Sequence, residues 1–121
     1  MQKMKNPAST SAKITEAIVM ERLNRVLDPE LHVGIVDLGL IYDVSAVEVE
    51  AEQGKLTRIH ILMTLTTPGC PLAGMFDRMI KDALFGLEGI NVDRDVTVEL
   101  TFDPPWLIDM MNPETRAQLG L

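Results

Sequence analysis

A chain of 121 residues with a formal net charge of -7 and one cysteine is long enough to bury about two thirds of its unfolded surface in one core and too short for two ordinary domains. Its 11 Lys and Arg are scattered among 18 Asp and Glu, which excludes nucleic acid as a main ligand, because phosphate recognition needs clustered cations. A single cysteine excludes an intrachain disulfide framework and a complete four-cysteine metal site.

No run approaches the ~20 apolar residues of a membrane span, and the polar start from Met1 to Ser11 lacks the apolar segment of a secretion signal. The expectation is a soluble, cytoplasmic protein with neither nucleic acid nor membrane as partner. Residues 1–12, rich in Ser, Lys, Asn and Gln, read as a disordered arm. Residues 13–121 read as a single domain. Thr15 is placed to cap a helix running from Glu16 to Leu27, with Val19, Leu23, Val26 and Leu27 at helical spacing. Asp28-Pro29 ends it, because the residue before proline is pushed out of the helical region.

From Leu40 the apolar residues alternate as Leu40, Tyr42, Val44 and Ala46, then shift phase to Val47, Val49 and Ala51. That shift predicts a bulge or bend within the strand. Gln53-Gly54-Lys55 reads as a tight hairpin connection, and Ile59, Ile61, Met63 and Leu65 alternate on the return strand, with His60 in its polar phase. Leu72, Met75, Phe76, Met79, Ile80, Ala83, Leu84 and Leu87 trace the apolar face of a helix. Val96, Val98, Leu100 and Phe102 alternate with Asp95, Thr97, Glu99 and Thr101, which predicts a third strand with one buried face. Asn112-Pro113-Glu114 starts a short last helix. The order is α-β-β-α-β-α: a small α+β domain with helices on one face of a three-stranded mixed sheet.

The chemistry concentrates at Cys70, in the loop between the second strand and the long helix. Pro71 fits the first helical position, which puts the sulfur at a helix start, where unpaired N-H groups favour thiolate over thiol. A buried, inert thiol is the plainer alternative. Gly69 gives the loop room for a sharp turn. Thr66 and Thr67 either present hydroxyls to the sulfur or a bound anion, or bond nearby backbone. Asp37, in the apolar run Ile35 to Ile41, either anchors a loop through hydrogen bonds or binds metal. Glu30 and His32 read as a solvated loop, unless the segment after the first helix folds over the same site. Trp106, Met110 and Met111 form an apolar tail that either closes the core or lines a partner groove.

Asp28-Pro29-Glu30, Ile35-Val36-Asp37-Leu38-Gly39-Leu40-Ile41-Tyr42, Thr64-Leu65-Thr66-Thr67-Pro68-Gly69-Cys70-Pro71 and Phe102-Asp103-Pro104-Pro105-Trp106 together resemble the SufT-like family of small iron-sulfur cluster assembly domains, which also contains PaaD-like proteins. PaaD-like members carry an added cysteine-bearing tail, and this sequence has no second cysteine, so it is more similar to the general SufT-like form. The resemblance implies an α+β fold and a non-enzymatic role in maturing or delivering iron-sulfur clusters, with Cys70 as ligand or transfer thiol. It further implies assembly machinery and client apo-proteins as partners. Because common clusters take four thiolates and one cysteine cannot hold one alone, a cluster is expected to be transient or shared, across a homodimer or with glutathione or a client protein. Two other readings stay open: a metal-free adaptor between machinery and clients, and a thiol enzyme, the latter disfavoured because no motif places a histidine beside Cys70.

Overall fold

The computed structural model describes residues 14–52, 54–66 and 73–121. The expected arm at 1–12 and the loop residues Thr67, Gly69 and Cys70 lie outside the described residues. In chain order the elements are α1 (Glu16–Leu23), β1 (Ile41–Ala51), β2 (Gly54–Met63), α2 (Ala73–Leu84), α3 (Val92–Asp95), β3 (Val96–Leu100), a 3-10 turn (Ile108–Met110) and α4 (Pro113–Gln118). This is the expected α+β order with one helical turn, α3, inserted ahead of the third strand.

The sheet order is β1-β2-β3, with β1 antiparallel and β3 parallel to β2. The crossover from β2 to β3 carries α2. Ile59, Ile61 and Met63 of β2 are buried with Val96 of β3 and with Phe76, Ile80 and Leu84 of α2, so the alternating face of the sheet meets one stripe of the helix. On the wet side of α2 two i,i+4 ion pairs form, Asp77 with Lys81 at 3.3 Å and Arg78 with Asp82 at 3.4 Å.

Three expectations need correction. Helix α1 ends at Leu23, not Leu27. Its last turn tightens, with Arg25 N-H donating to Arg22 O and Val26 N-H to Leu23 O, a three-residue spacing that rotates the chain off the helical register. Val26 therefore stays buried while Leu27 is 51% exposed. The irregularity in β1 falls between Ile41 and Asp43, and the pairing runs unbroken from Asp43 to Ala51. The apolar phase change at Val47 thus reflects two faces of one regular strand: Val44 and Ala46 pack against the core, and Val47 is left exposed. Met75, expected on the apolar face of α2, is 45% exposed, because the buried stripe follows Phe76, Ile80 and Leu84 at four-residue steps.

The hairpin closes at Ala51 and Gly54. Thr15 caps α1 as expected, its Oγ1 accepting from Ile18 N-H at 3.2 Å. Asn112 caps α4 in the same way through Glu114 N-H at 2.8 Å.

Candidate functional site

Three chain segments meet at the end of the sheet where β1 begins and β2 and β3 finish. Thr64 N-H donates to Leu40 O at 2.8 Å, and Thr101 N-H donates to Met63 O at 2.9 Å. The pairing of Ile41 with Met63 and of Met63 with Leu100 continues this contact into the sheet. Three of the four sequence motifs are thereby placed at one edge: the Asp37 turn ahead of β1, the Thr64–Thr66 exit of β2, and the Phe102–Trp106 exit of β3. The carboxyl ends of parallel strands are where open α/β sheets bind ligands, since strand-to-helix loops splay apart there.

The β2 exit is firmly held. Thr64 is fully buried and Leu65 nearly so, and Thr66 is half-buried at the last described position before the loop. Chain connectivity makes the segment 67–72 the link from this sheet end to the start of α2 at Ala73.

The Asp37 turn is a coil of short-range backbone bonds: Leu38 N-H to Gly34 O, Gly39 N-H to Val36 O, and Leu40 N-H to Ile35 O, at 3.0 to 3.1 Å. Asp37 itself is exposed, so the cost of burying a carboxylate, which motivated its reading as an anchor, does not arise there. Its backbone carbonyl accepts from Asn112 N-H at 2.7 Å.

The C-terminal segment clamps this turn from outside. Trp106 Nε1-H donates to Leu38 O at 2.7 Å, Tyr42 O-H donates to Pro104 O at 2.7 Å, and the Met110 backbone lies directly on Gly39, whose φ is +78°. Met111 is buried and Trp106 packs against the core. The apolar tail therefore closes the core, and its exposed members are Leu107 and Ile108.

The Asp28-Pro29-Glu30 motif forms a tight loop beside these elements. The nearly buried Asp28 accepts through Oδ1 from Glu30 N-H at 2.8 Å and Leu31 N-H at 2.9 Å. His32, at φ 58°, and Glu30 are exposed, as a solvated loop requires. His60 lies in the polar phase of β2, 2.8 Å from Glu99 Oε1 on β3. Neither histidine is part of the converging strand ends.

One charged cluster escaped the sequence reading. Asp95, expected on the solvent side of the third strand, is 1% exposed. Arg94 grips it through two bonds of 2.7 and 2.8 Å, Arg58 of β2 lies 3.3 Å away, and Asn91 N-H donates to it at 3.0 Å. The Arg94 hydrogen bonds hold the Asp95 carboxyl below the usual carboxylate range against the opposing effect of burial, and the same bonds raise the Arg94 guanidinium. This cluster fastens α3 to the sheet.

Residues 16–100 match the family described as iron-sulfur cluster assembly protein. A relative named Fe-S protein maturation auxiliary factor YitW, from Bacillus subtilis, is 41% identical, covering 85% of this chain and 91% of that one. Fe-S protein maturation auxiliary factor SufT of Staphylococcus aureus is 35% identical over 79% of this chain and 98% of its own. A crystal structure of a domain of unknown function from Bacillus anthracis superposes with a TM-score of 0.73 at 34% identity, covering 88% of this chain and 92% of the other. The chain belongs to the iron-sulfur cluster assembly protein family. Among the described residues, no helix is long and apolar enough to cross a membrane.

Proposed function

We propose that this protein is a non-enzymatic iron-sulfur cluster assembly, maturation or delivery factor in which Cys70 is the metal ligand or transfer thiol. The observation that carries the reading is the meeting of the Asp37 turn, the β2 exit into the cysteine loop and the β3 exit at one sheet end. Family membership supports the same role, and the relatives' names, Fe-S protein maturation auxiliary factors, agree with it.

In this reading Gly69 and the hydroxyls of Thr66 and Thr67 shape and polarise the loop around the Cys70 sulfur. Asp37, exposed on the adjoining turn, faces solvent where an incoming partner or cluster arrives. Common clusters take four thiolate ligands, so one cysteine holds its cargo only together with thiols from elsewhere: a second copy in a homodimer, a small thiol, or the client apo-protein. Shared ligation of this kind suits handover, because each ligand can be exchanged in turn. The partners are the assembly machinery and client apo-proteins, in the cytoplasm. Residues 13–121 act as one unit with 1–12 as an arm.

A non-catalytic role is favoured by the relatives, which are named as maturation auxiliary factors. A metal-free adaptor that used Trp106, Met110 and Met111 as its docking face is disfavoured, since that tail is largely committed to the core.

The test is anaerobic reconstitution of wild type and Cys70→Ser with iron and sulfide, read by visible absorption and by iron and sulfide counts. Sulfur-to-iron charge-transfer bands in wild type alone support carriage through Cys70. Two colourless proteins, or equal colour in both, overturn it.

A further inference from the structure

At the C-terminal end of α2, about 17 Å from its start at Ala73 at 1.5 Å per residue, lies a hollow that the reading above does not use. Its volume is about 620 Å³, and Arg22, Arg25, Val26, Leu27, Met79 and Phe85 are among the side chains that line it. Phe85 also forms one wall of a second hollow of about 360 Å³. It therefore stands as a ridge between two concavities.

Phe85 is 73% exposed and Leu27 51%, an unusual outlay of large apolar side chains on neighbouring elements. The Phe85 backbone is held in place. Arg22 of α1 reaches across to α2 and donates to Ala83 O at 3.1 Å and Phe85 O at 3.4 Å, and Gly86, at φ +95°, turns the chain immediately afterwards. The aromatic ring is thus presented by a braced backbone.

The electrostatics are equally specific. The chain as a whole carries -7, yet this hollow brings together Arg22 and Arg25. Asp82, the one lining carboxylate among the described residues, is paired with Arg78 at 3.4 Å. Arg22 is committed to the Ala83 and Phe85 carbonyls, and Arg25 is exposed. An apolar floor with two guanidinium groups complements a segment that sets carboxylates beside large apolar side chains. Arginine and aromatic residues are also the types that dominate binding energy at protein interfaces, and the Met79 thioether adapts to varied apolar shapes.

We propose that this groove docks an acidic, apolar segment of a partner polypeptide, with Arg25 pairing its carboxylate and Phe85, Leu27 and Met79 gripping its apolar side chains. The groove is a second interaction surface, separate from the converging strand ends, and it holds its partner whether or not Cys70 carries cluster.

The test uses the whole protein, a short dye-labelled peptide in which aspartates alternate with leucine and phenylalanine, and a twin with lysines in place of the aspartates. The aspartate peptide is expected to bind saturably, to weaken with added salt, and to shift the amide resonances of Arg25, Leu27, Ala83 and Phe85. Phe85→Ser and Arg25→Glu should each weaken it about tenfold or more, while the lysine twin should prefer Arg25→Glu over wild type. That charge-swap preference has no explanation in a damaged fold, and both altered side chains are exposed. Leu27→Ser provides a further variant with its own loss of affinity. Equal binding of both peptides to wild type, shifts confined to another face, or no saturable binding would overturn the proposal. So would self-association of wild type that Phe85→Ser abolishes, which would assign the groove to a second copy.

Discussion

Gly39 and Met110 are packed backbone to backbone: a Cβ built on Gly39 would lie 2.8 Å from the Met110 carbonyl carbon and closer still to its oxygen. This contact joins the Asp37 turn to the segment that follows β3, so two motifs far apart in the chain form one unit. Gly39→Ala meets both a close backbone and a positive φ of 78°, and is expected to cost about 2 kcal/mol or more. Gly39→Asn separates the two causes. Asparagine tolerates left-handed backbone, so an equal loss of urea midpoint in both variants shows that the Met110 contact dominates. Recovery in the asparagine variant would show that φ does.

Trp106→Phe keeps most of the ring volume but deletes the donor to Leu38 O, a 2.7 Å bond. Leu38 is fully buried, so its carbonyl loses a partner where replacement by water is restricted. A loss of about 1 to 2 kcal/mol follows for a buried acceptor left unsatisfied, measured by denaturant unfolding. A change below the error of the method would mean that water takes the place of the indole N-H.

Much of the fold could be read from the chain because its strongest signals are periodic. Phe76, Ile80 and Leu84 announce α2, the alternation Ile59, Ile61, Met63 announces β2, and Asn112-Pro113 announces α4. Signals failed where a single residue decides. The tightened turn after Leu23 moves the end of α1 without any proline or glycine to mark it. Asp95 reads as solvent-facing because the alternation extends a strand over it, whereas it ends α3, held by Arg94 and Asn91 and packed beside Arg58 of β2, a contact that no strand pattern points to. The site was partly legible. Its motifs stand out one by one, but their convergence depends on register, on Thr64 beside Leu40 and Thr101 beside Met63, which is a property of the sheet rather than of any segment.

Asp28 shows how a short motif acquires its shape. Its Oδ1 accepts from Glu30 and Leu31 N-H, so Asp28→Ala leaves both donors without that acceptor and should cost about 1 to 2 kcal/mol. Asp28→Asn retains an oxygen in the same position and should recover most of the loss. Equal destabilisation by the two variants would show that the negative charge, rather than the acceptor, fixes the loop.

The Asp95 cluster makes stability depend on pH with a definite sign. Arg94 hydrogen bonds first, and then the Asn91 N-H and the charges of Arg94 and Arg58, lower the folded carboxyl below its ordinary range, so the unfolded chain binds this proton more readily than the folded one. The contribution is therefore complete above the unfolded carboxylate range, near pH 4, and is lost as pH falls through the lower folded value. Asp95→Asn removes the charge at every pH. At neutral pH it should cost about 2 kcal/mol, near the middle of the range for a hydrogen-bonded charge and limited because both arginines are half exposed. In urea unfolding from pH 7 to pH 2, the difference between wild type and Asp95→Asn should stay constant down to about pH 5 and close below about pH 4. A gap that widens on acidification would mean that the folded carboxyl holds its proton more tightly than the unfolded one and that burial outweighs the arginine pairs.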